Sequence, residues 1–274
     1  MKKLKKNLVT IILTFNSEKI LNKNITSCKK LKGDILIIDS FSNDKTIKIA
    51  KKHNCKIIKR KFKNYSDQRN FAIKHANKFY EWQLHLDSDE ILSKKSIDFI
   101  NKFNITHEKK KFSYIIKRKV FFLGKEIKFG LSSSYHLRFF PSNSTIVSKD
   151  KYDQHFISKL ESRKIPGYMN DYQDKDLDEW IALHNRWSNL AIDDEKNWGK
   201  NKNNHKTFYI AHRTTTKKLL LKLPFNLGPI LIFLIRYFLF LGFLDGKIGF
   251  YYIFMQSLWF RTLIKAKIYE KNLK

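Results

Sequence analysis

Residues Leu8–Thr14 form an almost unbroken apolar run, the pattern of a parallel strand buried on both faces. Over Glu18–Leu31, the apolar positions Ile20, Leu21, Ile25 and Leu31 recur at near-helical spacing. Asp34–Asp39 (DILIID) predicts a second strand, and Asp44–His53 a helix with Asp44 as its N-cap. Lys56–Lys59 predicts a short third strand, Tyr65–Phe79 a helix, and Trp82–Leu86 a fourth strand ending at Asp87. Strands alternating with helices imply a parallel sheet covered on both faces. Ligands of such sheets bind beyond the carboxyl ends of the strands. The polar residues that follow each strand are therefore the ones to inspect.

Past residue 100 the pattern changes. Phe112–Phe122 reads as a strand, Gly124 turns the chain, and Tyr135–Phe140 reads as another strand. Asp176–Leu190 predicts a helix, with Leu177, Trp180, Ile181, His184 and Trp187 on a rough 3-4 spacing. Residues 196–210 are polar and rich in Asn and Lys, a candidate linker. Two apolar runs follow, 229–243 with the single charge Arg236, and 248–260, separated by Gly242, Asp245, Gly246 and Gly249. As helices, each extends about 20 Å, short of the ~30 Å hydrocarbon core of a bilayer. Between residues 196 and 244 there are nine basic residues and no acidic one. Short aromatic-rich runs flanked by Lys and Arg suit an anchor lying in the plane of an anionic membrane. Buried core helices and transmembrane insertion are the other two readings.

The chain has 274 residues, and 42% of them are hydrophobic, enough for a sizeable core rather than a disordered chain. Cys28 and Cys55 are the two cysteines, which excludes a disulfide scaffold or a zinc site built from cysteine. The formal charge is +30, which first suggests nucleic acid. Yet 46 of the 55 basic residues are Lys and nine are Arg, whereas planar phosphate recognition favours Arg. Genome composition, an anionic membrane surface and anionic substrates also account for such a charge. The basic start at Met1–Lys6 followed by Leu8–Phe15 mimics a signal peptide, but Thr10 and Thr14 break the run and no small-residue cleavage site follows. It reads as a strand, with the cytoplasm as the expected compartment.

Four segments after strands carry the candidate chemistry. The first is Leu84-His85-Leu86-Asp87-Ser88-Asp89-Glu90, where an apolar strand ends in closely spaced carboxylates. Such groups repel one another unless a cation bridges them. Their oxygens suit Mg2+ or Mn2+, which share coordination with substrate phosphates. A solvated turn or helix cap is the plainer reading. The second is Asp39–Thr46, where Asp39 can accept hydrogen bonds from a ligand and Asp44 and Thr46 start a helix. The third is Thr14-Phe15-Asn16, where Phe15 either stacks on a base or joins the core. The fourth is Asp67-Gln68-Arg69-Asn70, where Arg69 near a helix start either meets phosphate or forms a surface ion pair.

In order, these read TFNSE, DSFSNDKT, QRNFA and LDSDE. Together they resemble the family 2 inverting glycosyltransferases, most of all the bacterial branch acting on lipopolysaccharide core and other surface glycans. Members typically read close to TKNE, DSGSTDGT, QRNFA and LDADE. The resemblance is strong over about residues 7–100. It implies an α/β GT-A fold, Rossmann-like, with a mostly parallel sheet and helices on both faces, followed by an amphipathic helical segment that associates with a membrane. It also implies a nucleotide-sugar-binding half at 1–100, an acceptor and catalytic half at 101–195, and a basic linker with apolar helices at 196–274. Phe15 would lie against the base, Asp39 would bond base or ribose, and Arg69 would approach the diphosphate. Asp87, with Ser88, would sit near the ribose and donor sugar, and Asp89 would hold Mn2+ or Mg2+. Thr14 and Asn16 complete the donor-binding set. Phe41 and Asn43 stand where the family often has Gly and Thr, a departure expected to change loop shape rather than chemistry.

An inverting transfer needs a base for the acceptor hydroxyl. Tyr152-Asp153-Gln154-His155-Phe156 resembles a DQHF-type segment that follows an R-x-F-x strand in this branch, here His136–Phe140. Asp153 is the first choice, His155 the second, and Asp171 the third. His184-Asn185-Arg186-Trp187 resembles a KHNRY-like segment that contacts a substrate or packs a helix. The tail from Arg236 also resembles tails of this branch, whose acceptors are lipid-linked. The expected partners are a nucleotide diphosphate sugar, UDP by family habit, a glycan or lipid-linked acceptor, and the inner face of the cytoplasmic membrane, with no nucleic acid. A nucleotidyltransferase that makes nucleotide sugars is the rival enzyme, but Thr14–Leu21 lacks the Gly-rich phosphate loop such enzymes carry. A non-catalytic basic protein that binds membranes or nucleic acid explains charge and tail, but not four ordered motifs.

Overall fold

The first strand, β1 (Lys6–Thr14), is apolar on both faces because both are covered. Successive side chains of a strand point to opposite faces. Leu8 and Ile12 join a core with Leu21, Ile25 and Cys28 of helix α1 (Glu18–Cys28), while Val9, Ile11 and Leu13 join another with Ala72 and Ala76 of α3 (Tyr65–Ala76). Strand β2 (Asp34–Asp39) divides likewise, with Ile35 and Ile37 on the first side and Leu36 and Ile38 on the second. Each buried Ile or Leu contributes about 1.5–3 kcal/mol. The turn before β2 passes so close to β1 that a Cβ on Gly33 would lie 2.8 Å from the Leu8 carbonyl oxygen.

The structure is a computed structural model and describes residues 5–102, 110–152, 154–173, 175–196, 223 and 227–273. The remaining elements of the first part are α2 (Thr46–Lys52), β3 (Lys56–Lys59), β4 (Tyr80–Asp87), β5 (Glu90–Leu92) and α4 (Lys94–Lys102). They are followed by β6 (Phe112–Phe122), β7 (Lys125–Ile127), β8 (Ser134–Pro141), β9 (Thr145–Val147), β10 (Phe156–Ser158) and β11 (Glu161–Gln173). The strand order is β3-β2-β1-β4-β8-β6-β11-β5. The first four strands are parallel, as their apolar runs predict. Beyond them β8 runs antiparallel to β4, and β5 antiparallel to β11, so the sheet is mixed. Register places Thr14 opposite Asp39 and Leu13 opposite Asp87, which aligns the carboxyl ends of β1, β2 and β4.

The chain divides into two compact units. The first comprises Met1–Arg118, Tyr135–Lys149 and Gln154–Asp174; the second comprises Lys119–Ser134, Asp150–Asp153 and Lys175–Lys274. In the second, helix α5 (Leu177–Lys196) places Trp180 in a core with Val120, Phe122, Ile127, Tyr252 and Ile253. Helix α6 (Leu227–Leu234) runs on as a π-helical turn, Ile235–Leu239. A tight turn at Gly242–Asp245 leads into α7 (Gly246–Ile253), a second π-helical turn at Phe254–Trp259, and α8 (Phe260–Leu273). Arg236, the one charge in its apolar run, donates from Nε to the Gly130 carbonyl (2.7 Å) and from Nη1 to Ser257 Oγ (2.7 Å). Gly242 permits the turn, since a Cβ there would lie 2.2 Å from Ile253 Cδ1 and 2.8 Å from the Arg236 carbonyl. Among the described residues no single helix is long and apolar enough to cross a membrane; only Leu227–Leu239 and Gly242–Leu273 together are, with a 73° bend between them. Residues 197–210 of the expected linker lie outside the described residues.

Candidate functional site

Three loops meet beyond the aligned ends of β1, β2 and β4, tied by side chains at fixed offsets from each strand. Asp39 is buried at the tip of β2. Its carboxylate accepts from Thr14 Oγ1 (2.9 Å), Ser42 Oγ (2.5 Å) and the Ser42 N–H (2.9 Å). Asn16 donates its N–H to Ser42 Oγ (2.9 Å) and accepts the Asn43 N–H at Oδ1 (3.0 Å). Asp44 takes the N–H of Thr46 at the start of α2 (2.9 Å), and its other oxygen takes the N–H of Glu18 at the start of α1 (3.0 Å). It therefore holds the first N–H of two helices, although the N-cap position of α2 is Lys45 rather than the expected Asp44. Ser17 joins the first loop to the acidic turn through Ser88 Oγ (3.0 Å).

Helix α3 reaches the loop after β2, the end of β4 and strand β9 from three consecutive positions, because adjacent helical residues point about 100° apart. Gln68 donates from Nε2 to Ser40 Oγ (3.2 Å), and Asn70 exchanges hydrogen bonds with the Val147 backbone (3.1 and 2.9 Å). Arg69 donates to the Leu86 carbonyl (3.2 Å) and to the Asp87 carboxylate. Asn64 caps this helix by accepting the Asp67 N–H at 2.9 Å.

The acidic turn Asp87–Glu90 is held from inside the fold. Arg138 donates from Nη2 to Asp87 (3.1 Å) and to Glu90 Oε1 (2.5 Å). Glu90 Oε2 accepts the Asp87 N–H (2.9 Å). Asn24 of α1 donates from one amide nitrogen to the Asp87 carbonyl (3.1 Å) and the Glu90 carbonyl (2.7 Å). Beside them Arg118 pairs with Asp171 at 3.4 Å, and Asp171 is the register partner of Glu90. Burial pushes the Asp87 carboxyl up, but Arg69 and Arg138 outweigh it and hold the group below its ordinary range. Burial raises Glu90 against the pull of Arg138, with Asp87 and Asp171 adding to the rise. His85 lies buried in the same unit, stacked on Phe140 at 5.1 Å. Burial, aided by Arg69 and Arg138, keeps its imidazole neutral.

The predicted site residues fall into distinct places. Phe15 is 58% exposed, so it stands outside the core. Thr14, Asn16, Asp39 and Ser88 are linked within the laced loops. Asp87 presents a side chain that is 40% exposed, whereas Arg69 behind it is 0% exposed. The expectation that Arg69 approaches a diphosphate therefore needs correction, because its guanidinium is buried behind Asp87 and bonded to it. Among the described residues its Nε and Nη1 have no hydrogen-bond partner, and the group lies over the Phe156 ring at 5.8 Å. Arg138 lies over the same ring at 5.7 Å. His155, immediately before that ring, accepts the Ser148 N–H at its carbonyl (2.8 Å) and donates its own N–H to Ser148 Oγ (3.0 Å). Asp153 lies outside the described residues. Asp171, the third candidate base, is buried and ion-paired.

Asn24, Glu90 and Arg138 were not singled out by sequence as site residues. The signal for Asn24 was a polar residue on the same α1 face as Leu21, Ile25 and Cys28. Glu90 stood in the LDSDE segment and Arg138 in the R-x-F-x strand, but their pairing joins residues 48 apart and no local pattern shows it.

Among the described residues, no three carboxylate, imidazole or thiolate groups converge as a metal cage. At the acidic turn, the Asp87 carboxylate is already held by two guanidinium groups, and Asp89 is the second carboxylate of the turn. That donor set fits a hard divalent cation that takes its other oxygens from a substrate phosphate and water.

Residues 9–103 match the family described as Glycosyl transferase family 2. An uncharacterized glycosyltransferase of Rickettsia typhi is 30% identical over 122 residues, 44% of this chain and 41% of that protein. One of Rickettsia conorii is 30% identical over 117 residues, 42% of this chain and 41% of that protein. The chain thus spans 41% of the length of each of these relatives. Among solved structures, a mannosyltransferase from Pyrobaculum calidifontis in complex with GDP-Man and Mn2+ is similar over 97% of this chain and 88% of that one, with a TM-score of 0.51 at 10% identity. Together with the family match over the parallel half, that likeness shows a GT-A-like mixed α/β fold followed by C-terminal helices.

Proposed function

We propose that the protein is a metal-dependent, inverting glycosyltransferase of family 2. It moves a sugar from a nucleotide diphosphate sugar, UDP-linked, to a lipid-linked or lipopolysaccharide-type surface-glycan acceptor. The observation that carries this reading is the assembly of four strand-end motifs into one laced surface, with an exposed aromatic ring at one loop and an acidic turn at another. The family match over residues 9–103 supports it, as does the Mn2+ and GDP-Man complex of the Pyrobaculum mannosyltransferase.

In this reading Phe15 stacks on the base, and Thr14, Asn16 and Asp39 hold the loop that presents it. Asp87 and Ser88 orient the ribose and donor sugar, and buried Arg69 positions Asp87. Asp89 holds Mn2+ or Mg2+, which when bound neutralises charge developing on the departing diphosphate. Asp153 takes the proton of the acceptor hydroxyl, with His155 as the alternative base. The acceptor oxygen bonds to the anomeric carbon as the bond to the diphosphate oxygen breaks, and that electron pair leaves with the nucleoside diphosphate. Attack from the face opposite the leaving group inverts the centre.

The second unit supplies membrane association at the inner face of the cytoplasmic membrane. Phe238, Leu239 and Leu244, at and beside the turn between α6 and α7, are all more than half exposed, with Leu239 at 74%. Large apolar side chains in that number on a bent helical pair suit an interfacial anchor better than water.

The test is release of nucleoside diphosphate from a panel of nucleotide sugars with Mn2+. Asp89→Ala is expected to lower turnover roughly 100-fold or more, the scale set by loss of electrostatic stabilisation of a leaving group. Asp153→Asn is expected to lower transfer by a similar factor. Wild-type turnover in Asp89→Ala sinks the metal assignment, and full transfer in Asp153→Asn moves the base to His155.

A further inference from the structure

Two exposed phenylalanine rings stand at the carboxyl ends of neighbouring parallel strands. Phe15 directly follows β1 and is 58% exposed; Phe41 lies two residues beyond β2 and is 56% exposed. The residues before them are bonded, Ser40 N–H to the Thr14 carbonyl at 2.9 Å. So are the residues after them, Asn16 N–H to Ser42 Oγ at 2.9 Å. Phe15 and Phe41 therefore occupy matching positions on two loops held side by side.

Phe41 has a φ of 62°, in the left-handed region where a bulky side chain is out of place and glycine is the ordinary occupant. The position thus combines backbone strain with an aromatic ring in water, and burial offsets neither. Both are maintained by Asp39, whose carboxylate fastens Ser42 through its N–H and hydroxyl. Strain held in place by its surroundings at the ligand end of a sheet points to a function. The same lacing runs through Ser17 and Ser88 to the acidic turn, so the rings and the turn belong to one surface. A ligand with a planar π-face at one end and a diphosphate at the other matches both.

We infer that Phe41 is a nucleobase-binding residue, and that with Phe15 it forms a two-ring platform that takes the donor base by stacking. This rests on the nucleotide-sugar reading above. Stacking is available to every base, so the platform contributes affinity rather than choice of nucleotide.

The experiment is calorimetric titration of the full chain with UDP and GDP in the presence of Mn2+, and with inorganic pyrophosphate and Mn2+ as a base-free probe. Phe41→Gly is expected to raise Kd about tenfold for whichever nucleotide binds, the loss of one base–aromatic stack. Pyrophosphate affinity is expected to stay at the wild-type value, and Phe41→Tyr to keep wild-type nucleotide affinity. Glycine suits φ of 62°, so the melting temperature of Phe41→Gly should match or exceed that of wild type. Nucleotide affinity unchanged in Phe41→Gly, or lowered equally for pyrophosphate, overturns the inference alone. If wild-type protein binds neither nucleotide, the nucleotide-sugar reading fails and this inference falls with it.

Discussion

At the scale of single residues, the charges that matter most are ones that water does not reach. Arg138 and Glu90 are buried, and each has lost hydration that the other and Asp87 offset. Removing one partner of such a pair leaves an uncompensated charge, whereas replacing both with apolar groups is far milder. Arg138→Met should therefore cost about 3–5 kcal/mol of stability in denaturant unfolding, and Glu90→Met/Arg138→Met distinctly less. Both variants should lose donor turnover, because Asp87 loses the guanidinium that orients it in either case. Equal stability loss in the single and double variants would show that packing, not charge, holds the turn. Arg69, fully buried and bonded to the same carboxylate, plays the matching part from α3.

At the scale of elements, the helix α5 carries a proton-sensitive contact. His184 is buried against Trp180 with ring centroids 3.4 Å apart, and its Nδ1 bonds the Trp180 carbonyl at 2.9 Å. Burial lowers its pKa from 6.5 to about 4, against a smaller rise from the Trp180 backbone bond. Between those values the unfolded chain binds a proton that the folded helix does not, so stability present above pH 6.5 is lost as pH falls towards about 4. Asp34 behaves separately. Burial raises it, but hydrogen bonds from Lys56, Tyr80 and Lys6 outweigh that and lower it to about 2. Its contribution is complete above pH 3.8 and is lost as pH falls from there to about 2. Tryptophan fluorescence should thus report a change near α5 between pH 6.5 and 4. His184→Gln should remove that change and Asp34→Asn should leave it. A transition untouched by His184→Gln would assign it elsewhere.

At the scale of the whole molecule, the net charge of +30 and the exposed apolar hairpin act together in the proposed membrane role. Binding to vesicles with anionic headgroups should weaken with added salt, because surface charge is screened within about 10 Å at 0.1 M ionic strength. Leu239→Glu/Leu244→Glu should remove most of it without unfolding the protein, since both side chains are more than half exposed. Vesicle binding equal to wild type in that variant rules out the hairpin as the anchor. Substantial positive charge lies elsewhere on the chain, but three of the nine arginines are committed to ion pairs around the acidic turn.

The strands of the parallel half, the helices between them and the four motifs after them were legible in the order of the residues. Their signals are local: a period of two or 3.6, a cap, a polar residue after an apolar run. β5 and β7, three residues each, were too short to show a period, and β11 alternates too irregularly to stand out. Only the tertiary structure decided that the Asp39 carboxylate fastens Thr14 and Ser42, that Arg69 is buried behind Asp87, and that Asn24 and Arg138 hold the acidic turn. Those bonds join residues as far apart as 51 and 66 positions, and separation of that kind leaves no periodic mark in a sequence. The sequence by itself determined which residue types stand at the strand ends. Folding decided which of them stand exposed and which are consumed in holding the others, because burial and partner choice are set by what lies across the sheet.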